Sequence, residues 1–219
     1  MAKSWWKLLA SVLIIYSIIA GLLLNVPHLP ILHETIRNLY FHVPMWFTMI
    51  VLYLISVISS IKYIGSGNEN DDLLAVESVN AGVIFGILGI LTGMVWANFT
   101  WGDFWPNDPK LNSAAICTLM YFAYLVLRNS LDEEQKRAKI SAIYNIFAFP
   151  VMIVLLFVLP RLTDSLHPGN GGNPGFGGYD LDKNMRLVFY PACLGWILFG
   201  IWIATLRYRL RKLENKLLL

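Results

Sequence analysis

Charged residues are scarce in this sequence. Only 14% of its 219 residues are Asp, Glu, Lys or Arg, and 57% are hydrophobic. A typical soluble domain is about a quarter charged. The shortage of charge excludes an ordinary water-soluble domain of this length and predicts a protein that lies in a lipid bilayer.

Cysteines and basic patches are scarce as well. The two cysteines, Cys117 and Cys193, lie far apart within hydrophobic runs, so the chain has no C-x-x-C or C-x-x-C-H motif. This excludes a thioredoxin-like redox protein and an apocytochrome c. The net charge is only +3, and the basic residues are scattered between the hydrophobic runs. We therefore expect no nucleic-acid partner.

Long hydrophobic runs, in contrast, are abundant. About 20 apolar residues cross the ~30 Å hydrocarbon core of a bilayer. Six segments qualify, at about 8–24, 44–64, 79–96, 112–128, 140–159 and 187–206. They are continuously apolar rather than alternating, which excludes a β-barrel. The sequence predicts an all-α integral membrane bundle of six transmembrane helices, a single domain over 1–219 whose first span is not cleaved.

The distribution of basic residues predicts how the bundle is oriented. Twelve of the seventeen Lys and Arg residues lie at the two termini and in alternate loops, and five lie in the remaining loops. By the positive-inside rule, both termini are cytoplasmic. The outer loops are then 25–43, 97–111 and 160–186. They contain all four histidines, so we expect the functional chemistry on the outer face.

Four glycines in the third span recur at roughly helical spacing: Gly82, Gly86, Gly89 and Gly93. Small residues along one face of a membrane helix let a second helix approach closely. The stripe therefore predicts a tight helix–helix contact rather than a ligand site.

Two outer-face histidines are candidates for binding iron. His42 immediately precedes the second span, and His167 follows the fifth. A neutral imidazole at a membrane boundary supplies a nitrogen to iron, and two of them would hold one iron axially. Taken singly, each histidine has a plainer interpretation, as a residue hydrogen-bonded at a helix start or solvated in a loop. His28 and His33 remain alternative ligands.

The loop 97–111 is unusually aromatic. Trp101, Phe104 and Trp105 offer flat apolar surfaces on which a porphyrin would stack, and Gly102 belongs to the same turn. The alternative is an interfacial aromatic belt, which is common in membrane proteins. We expect Asp108 to fix the loop through backbone hydrogen bonds or through Lys110.

Haem also carries two propionates, which call for cations at the edge of a site. Arg37 and Lys110 are two of the five cations on the outer face, and each lies in a segment that also contains a candidate site residue. The alternative is ordinary snorkelling of long cationic side chains at the ends of spans.

The pattern Trp101-Gly-x-x-Trp105-x-x-Asp108-x-Lys110 resembles the tryptophan-rich WWD signature of the haem-handling proteins of cytochrome c biogenesis. Six spans, with one histidine before the second and another after the fifth, are similar to the smallest member family, the cytochrome c maturation protein C (CcmC) type. The segment Tyr40-Phe-His-Val-Pro44 is similar to that family's first ligand segment.

This resemblance implies specific roles. His42 and His167 would be the axial ligands of haem b, and the loop around 101–110 would cradle the haem edge. Haem would pass to a periplasmic haem chaperone, with the help of ABC transporter subunits and a small accessory membrane protein. The protein would be a non-catalytic, multi-pass component of the bacterial inner membrane.

The loop departs from the family pattern at three positions. Asn107 stands where a third tryptophan is common, Pro106 is unusual, and Lys110 replaces a frequent arginine. A missing indole removes one stacking contact, either with haem or with the chaperone. The two histidines match the family more fully.

Other functions remain open at this level. A haem lyase would join haem to apocytochrome c, but it would need a means of reducing iron and a docking surface for the apocytochrome. A haem exporter permease or other translocase would show a broken helix pair, an inverted repeat or an ionisable residue within a span, and none is evident. A purely structural subunit is the remaining alternative.

Overall fold

The computed structural model describes residues 4–29, 31–167 and 181–217. Part of the predicted outer loop 160–186, residues 168–180, lies outside them. The described residues form helices and connecting loops without strands. The α-helices are α1 (Trp5–Leu23), α2 (Leu39–Ser66), α3 (Glu69–Trp101), α4 (Pro109–Asn129), α5 (Glu134–Ile153), α6 (Leu159–Leu162) and α7 (Lys183–Leu217).

Two short elements of other geometry complete the chain. A 3₁₀ segment, His33–Asn38, leads into α2, and a π-helical turn, Val154–Val158, joins α5 to α6. Counting the 3₁₀ segment with α2, and the π-turn and α6 with α5, six helices are long and apolar enough to cross a membrane. The predicted all-α, six-span fold is confirmed.

Most helices extend beyond the predicted hydrophobic spans. Helix α3 begins at Glu69, where the Asn68 side chain caps it by accepting a hydrogen bond from the Asn70 backbone N–H. It continues to Trp101, so the predicted loop 97–111 is helical at both ends and only 102–108 connects α3 to α4. Polar residues continue these helices because a helix need not end where the hydrocarbon does.

The glycine stripe of α3 packs against α2, as predicted, but Gly89 and Gly93 also line the cavity described below, where the prediction expected no ligand site. At Gly82, an added Cβ would lie 2.4 Å from a ring carbon of Tyr53. At Gly89 it would lie 2.7 Å from the Trp46 ring. These distances are far below van der Waals contact, so only glycine permits this approach of the two helices.

The packing of α1 on α7 shows that the first and last helices run in opposite directions. The Trp6 ring contacts Trp202 near the end of α7, whereas the Tyr16 hydroxyl donates to the Leu187 carbonyl near its start. The two helices are therefore antiparallel, and the first and last described residues lie at one end of the bundle, here named the terminal end. The opposite end, where α3 ends and α4 begins, is named the loop end.

Candidate functional site

A cavity of about 360 Å³ opens at the loop end between α2, α3, α4 and the last turns of the fifth span. Its volume lies in the range typical of small-molecule sites. Its walls are mainly apolar and aromatic side chains, among them Val43, Phe47, Ile90 and Phe157. Its few basic groups are His42, His167, Lys110 and Arg161.

His42 is fixed in the first turns of α2. Its side chain is buried, and its Nδ1 lies 3.0 Å from the Thr92 hydroxyl oxygen on α3. That hydroxyl donates its own proton to the Leu88 carbonyl at 2.7 Å, so it accepts from the imidazole Nδ1–H. The lone pair of His42 is therefore on Nε2, which is the nitrogen that a metal would bind.

The tryptophan one turn further along α2 agrees with this assignment. Trp46 Nε1 lies 3.4 Å from His42 Nε2, and an indole N–H only donates, so Nε2 is the acceptor. On the other side of the ring, Gly93 gives His42 its space, because a Cβ at Gly93 would lie 2.7 Å from the imidazole Cε1. Helices α2 and α3 thus fix both the tautomer and the position of this ring.

His167 is held from a loop. It follows α6, and its Nδ1 lies 2.9 Å from Asp108 Oδ1. An ionised carboxylate only accepts, so Nδ1 carries the proton and Nε2 is left as the acceptor nitrogen. The Trp101 ring packs edge-on against this imidazole, with ring centroids 4.8 Å apart. The His167 imidazole is partly exposed, unlike the imidazole of His42.

Asp108 is the centre of this loop structure. Although it is almost fully buried, its carboxylate accepts from the backbone N–H groups of Lys110 and Leu111, which caps the start of α4. It also accepts from the Ser165 hydroxyl at 2.8 Å and the Leu166 N–H at 2.7 Å. One carboxylate therefore ties the loop 102–108 to the segment that carries His167.

These contacts determine the charge of Asp108. Burial by itself raises the pKa of the carboxyl. The hydrogen bond from His167, the charge that its imidazole carries when protonated, and the hydrogen bonds from Leu166 and Ser165 together outweigh burial and hold the pKa of the Asp108 carboxyl well below its ordinary value. The side chain is therefore ionised at neutral pH and is an effective acceptor for the His167 Nδ1–H.

The aromatic residues of the predicted loop have different positions. Trp105 lines the cavity and donates from Nε1 to Asn112 Oδ1 at 3.1 Å. Trp101 is the last residue of α3 and contacts His167, whereas Phe104 is half exposed and is not among the residues that line the cavity. Gly102, with φ +82°, ends α3 in the left-handed conformation that glycine favours.

The cations are arranged differently from the prediction. Lys110 lines the cavity, but Arg37 is not among the lining residues. The Arg37 guanidinium pairs with Glu34 at 2.6 Å and donates to the carbonyls of Gly21 and Leu24, which ties the end of α1 to the 3₁₀ segment. Arg161, which sequence reasoning did not single out, lines the cavity instead.

Sequence reasoning also missed the residues around His42. Trp46 and Trp96 line the cavity, with ring centroids 6.2 Å and 5.8 Å from that of His42. Both lie inside hydrophobic spans, where a tryptophan carries no signal of its own. Their positions one turn after His42 and one turn after Thr92 indicate their role only once α2 and α3 are known to pair. His28 and His33 are not among the residues that line the cavity.

The cavity offers two imidazole nitrogens as candidate metal ligands. The described ranges contain no cluster of three or more His, Cys, Asp or Glu side chains that would hold a bare metal ion. Two imidazoles on different elements facing one apolar cavity suit an iron that brings its other ligands with it in a flat macrocycle.

Comparisons with known proteins identify a family that matches the chain over almost its whole length. The family model described as heme exporter protein C matches residues 1–217. The chain is 26% identical to the heme exporter protein C of Bradyrhizobium diazoefficiens over 185 residues, which cover 84% of this chain and 67% of the relative. It is 22% identical to that of Paracoccus denitrificans over 135 residues, which cover 62% and 56%.

A second group of relatives matches a shorter segment. The cytochrome c biogenesis protein CcsA of Prochlorococcus marinus (strain NATL1A) is 38% identical over 99 residues, which cover 45% of this chain and 30% of that protein. The chain thus spans less than a third of the length of these CcsA relatives.

Proposed function

The chain belongs to the heme exporter protein C family, whose members handle haem in cytochrome c biogenesis, and we propose that it binds haem b at the loop end through His42 and His167. It then delivers the haem to a soluble haem chaperone on the outer face of the bacterial inner membrane. The observation that carries this proposal is the pair of imidazoles lining one apolar cavity, each with its Nδ1–H held and its Nε2 as the acceptor nitrogen.

The surroundings of the two histidines support haem as the cargo. Trp46, Trp96 and Trp105 line an otherwise apolar space, which suits the faces and edges of a porphyrin. Lys110 and Arg161 in the same lining provide positive charge for the two propionates. Arg37, which was predicted for this role, contributes instead by holding α1 against the 3₁₀ segment.

The two ligands have different tasks in this proposal. His42 lies on the most tightly packed helix pair, so it anchors the iron. Its Nε2 must first leave the Trp46 N–H, a contact that at 3.4 Å is weak and easily replaced. His167 lies on a loop segment held by Asp108, so a partner that moves this segment would withdraw one ligand and release the haem.

The half-exposed Phe104 marks the surface that the chaperone would approach. It lies in the loop 102–108, which Asp108 connects to the His167 segment. Contact there would reach His167 without any movement of the helices. ABC transporter subunits and a small accessory membrane protein complete the assembly that we propose, with both termini in the cytoplasm.

The experiment that tests delivery is a transfer assay with the purified, haem-loaded chain. It is mixed with a soluble haem chaperone in one arm and with a C-x-x-C-H peptide in the other. We expect haem to move to the chaperone and no covalent product on the peptide. Covalent haem on the peptide alone would indicate a haem lyase and contradict the delivery function.

A further inference from the structure

Helix α7 continues past its membrane-length portion at the terminal end, where the Tyr208 hydroxyl lies 3.2 Å from Asn70 Oδ1 at the start of α3. The 35 residues of α7 span about 52 Å at 1.5 Å per residue, whereas the hydrocarbon core is about 30 Å thick. Trp202 contacts Trp6, and the Lys7 ammonium lies 5.3 Å from the Trp202 ring centroid. Tryptophan beside lysine is typical of the membrane–water interface. The residues from 207 onward therefore project out of the membrane.

This extension carries a regular row of leucines. Leu206, Leu210, Leu213 and Leu217 follow one another at intervals of four, three and four residues, which is the a/d spacing of a coiled coil. All four are exposed, at 49%, 60%, 59% and 86%. We name this row the leucine seam. A leucine row exposed to water is unfavourable unless a second helix covers it.

The seam faces away from the bundle. To one side of the seam, Arg207 Nε lies 2.8 Å and Arg211 Nε 3.7 Å from the carboxylate of Glu77 on α3. Glu77 is almost fully buried. These ion pairs hold the extension along the bundle, so no element of the described chain covers the leucines.

The same ion pairs argue against a membrane surface as the cover. The last proline inside α7 is Pro191, and the helix is unbroken from there to Leu217. To lay the leucines on a bilayer, the helix would have to break near 206 and pull Arg207 and Arg211 away from a buried carboxylate. A straight helix held in this way presents its seam to another protein helix.

The charge of the last turns of α7 indicates which kind of helix would bind there. Residues 207–217 contain five basic side chains and one acidic one, Glu214, a net charge of +4. In the a/d register of the leucines, Arg209 and Lys216 flank the seam on one side, and Arg207 and Glu214 flank it on the other. Two copies of this segment would bring +4 against +4, which opposes self-association. A helix with acidic flanking residues is complementary.

We propose that the leucine seam docks an acidic amphipathic helix of a partner protein on the side of the membrane that carries the termini. The inference does not depend on haem binding, because the seam lies at the opposite end of the bundle. Its orientation toward the cytoplasm follows from the distribution of basic residues.

A binding assay with the full chain in nanodiscs tests the proposal. The probe is a synthetic four-heptad peptide with Leu at a and d and Glu at e and g, and a second peptide carries Lys in place of Glu. We expect salt-sensitive binding of the acidic peptide only. The variant Leu210→Asn/Leu213→Asn should weaken it at least about tenfold, and Asn215→Ala, on the opposite side of α7, should not.

A cross-linking experiment in cells identifies what covers the leucine seam in the native membrane. A photoreactive phenylalanine analogue at position 213 is compared with the same analogue at position 215, and mass spectrometry identifies the cross-linked segment. We expect position 213, but not position 215, to cross-link to an acidic segment with leucines at heptad spacing. A synthetic copy of that segment should bind the wild-type chain and not the double variant.

Other outcomes would overturn the proposal. These are equal binding of both peptides, unchanged binding by the double variant, or cross-links to a second copy of the chain, to lipid or to a segment without acidic residues. The leucines are exposed, so the double variant should retain its fold, which thermal unfolding checks.

Discussion

The two histidines at the loop end are held in the same tautomer by different kinds of structure. His42 is buried between α2 and α3, and a neutral hydroxyl, that of Thr92, accepts its Nδ1–H. His167 is partly exposed on a connecting segment, and an ionised carboxylate, that of Asp108, accepts its Nδ1–H. One of the two proposed ligands is therefore fixed within a helix pair, and the other lies on a loop segment and is more strongly polarised. This asymmetry suits the proposed function, in which haem is first held and then released.

The largest effect should come from removing either imidazole, and the two removals should differ. We expect His42→Ala to lose haem binding, because it removes the rigid anchor. We expect His167→Ala to retain haem on His42 as a five-coordinate, high-spin complex of lower affinity. Haem titration followed by optical spectroscopy measures both. Equal behaviour of the two variants would remove the distinction between anchor and release ligand.

The next largest loss of haem affinity should come from replacing Asp108, which accepts the hydrogen bond from the His167 Nδ1–H. Asp108→Asn keeps a side-chain oxygen to cap α4 but loses the charge that polarises His167. Loss of such a partner typically reduces metal affinity by about 10–100-fold. We expect haem affinity to fall within this range while the helical content stays constant by circular dichroism.

The pH dependence of this variant provides a control. A carboxyl whose pKa is lowered in the folded state stabilises the fold above its unfolded pKa of about 3.9, and this stabilisation is lost as the pH falls through the lower folded value. The stability difference between wild type and Asp108→Asn should therefore be constant above about pH 5 and shrink below that. A difference that grows toward acidic pH would contradict the role assigned to Asp108.

A smaller loss of haem affinity is expected from replacing Thr92, which accepts the hydrogen bond from the His42 Nδ1–H. Thr92→Val is nearly isosteric and removes the acceptor of the His42 Nδ1–H, a hydrogen bond with a net contribution of about 1 kcal/mol, together with the hydroxyl's own bond to the Leu88 carbonyl. We expect haem affinity to fall several-fold, clearly less than in Asp108→Asn. Thr118→Val, at a buried threonine of α4 that bonds its own helix, is the matched control and should leave affinity unchanged. An effect of Thr92→Val as large as that of Asp108→Asn would show that the rigid side also depends on polarisation.

The smallest expected effect is a gain in haem affinity rather than a loss. Trp46→Phe keeps an aromatic ring in the cavity but removes the N–H that occupies His42 Nε2. With that competition gone, we expect haem to bind the same or up to a few times more tightly. The association rate measured by stopped flow is the sensitive reading. A strong loss of affinity would mean that packing of the indole against haem outweighs its competition for His42 Nε2.

The sequence predicted the framework well because its signals are local and strong. Continuous apolar runs specify six spans, and the glycines at 82, 86, 89 and 93 specify the contact of α3 with another helix. The structure also brings His42 and His167 to one cavity, as their shared outer face suggested. Asp108 was expected to fix its loop, and it does so through backbone N–H groups.

The rest of the site depends on which helix faces which, and a single span does not encode that. Thr92 and Trp46 are unremarkable within apolar runs, and their roles appear only when α2 and α3 are paired. Arg37 and Arg161 are both cations near the ends of spans in loops predicted to lie on one face, so composition does not distinguish them. The backbone path places Arg161 in the cavity lining and directs Arg37 to the carbonyls at the end of α1.

The electron paramagnetic resonance spectrum of the purified, ferric haem-loaded wild type tests the central assignment most directly. Two imidazole ligands, from His42 and His167, predict a six-coordinate low-spin signal of the bis-histidine type. A high-spin spectrum, or a low-spin spectrum with a thiolate or thioether ligand, would contradict it.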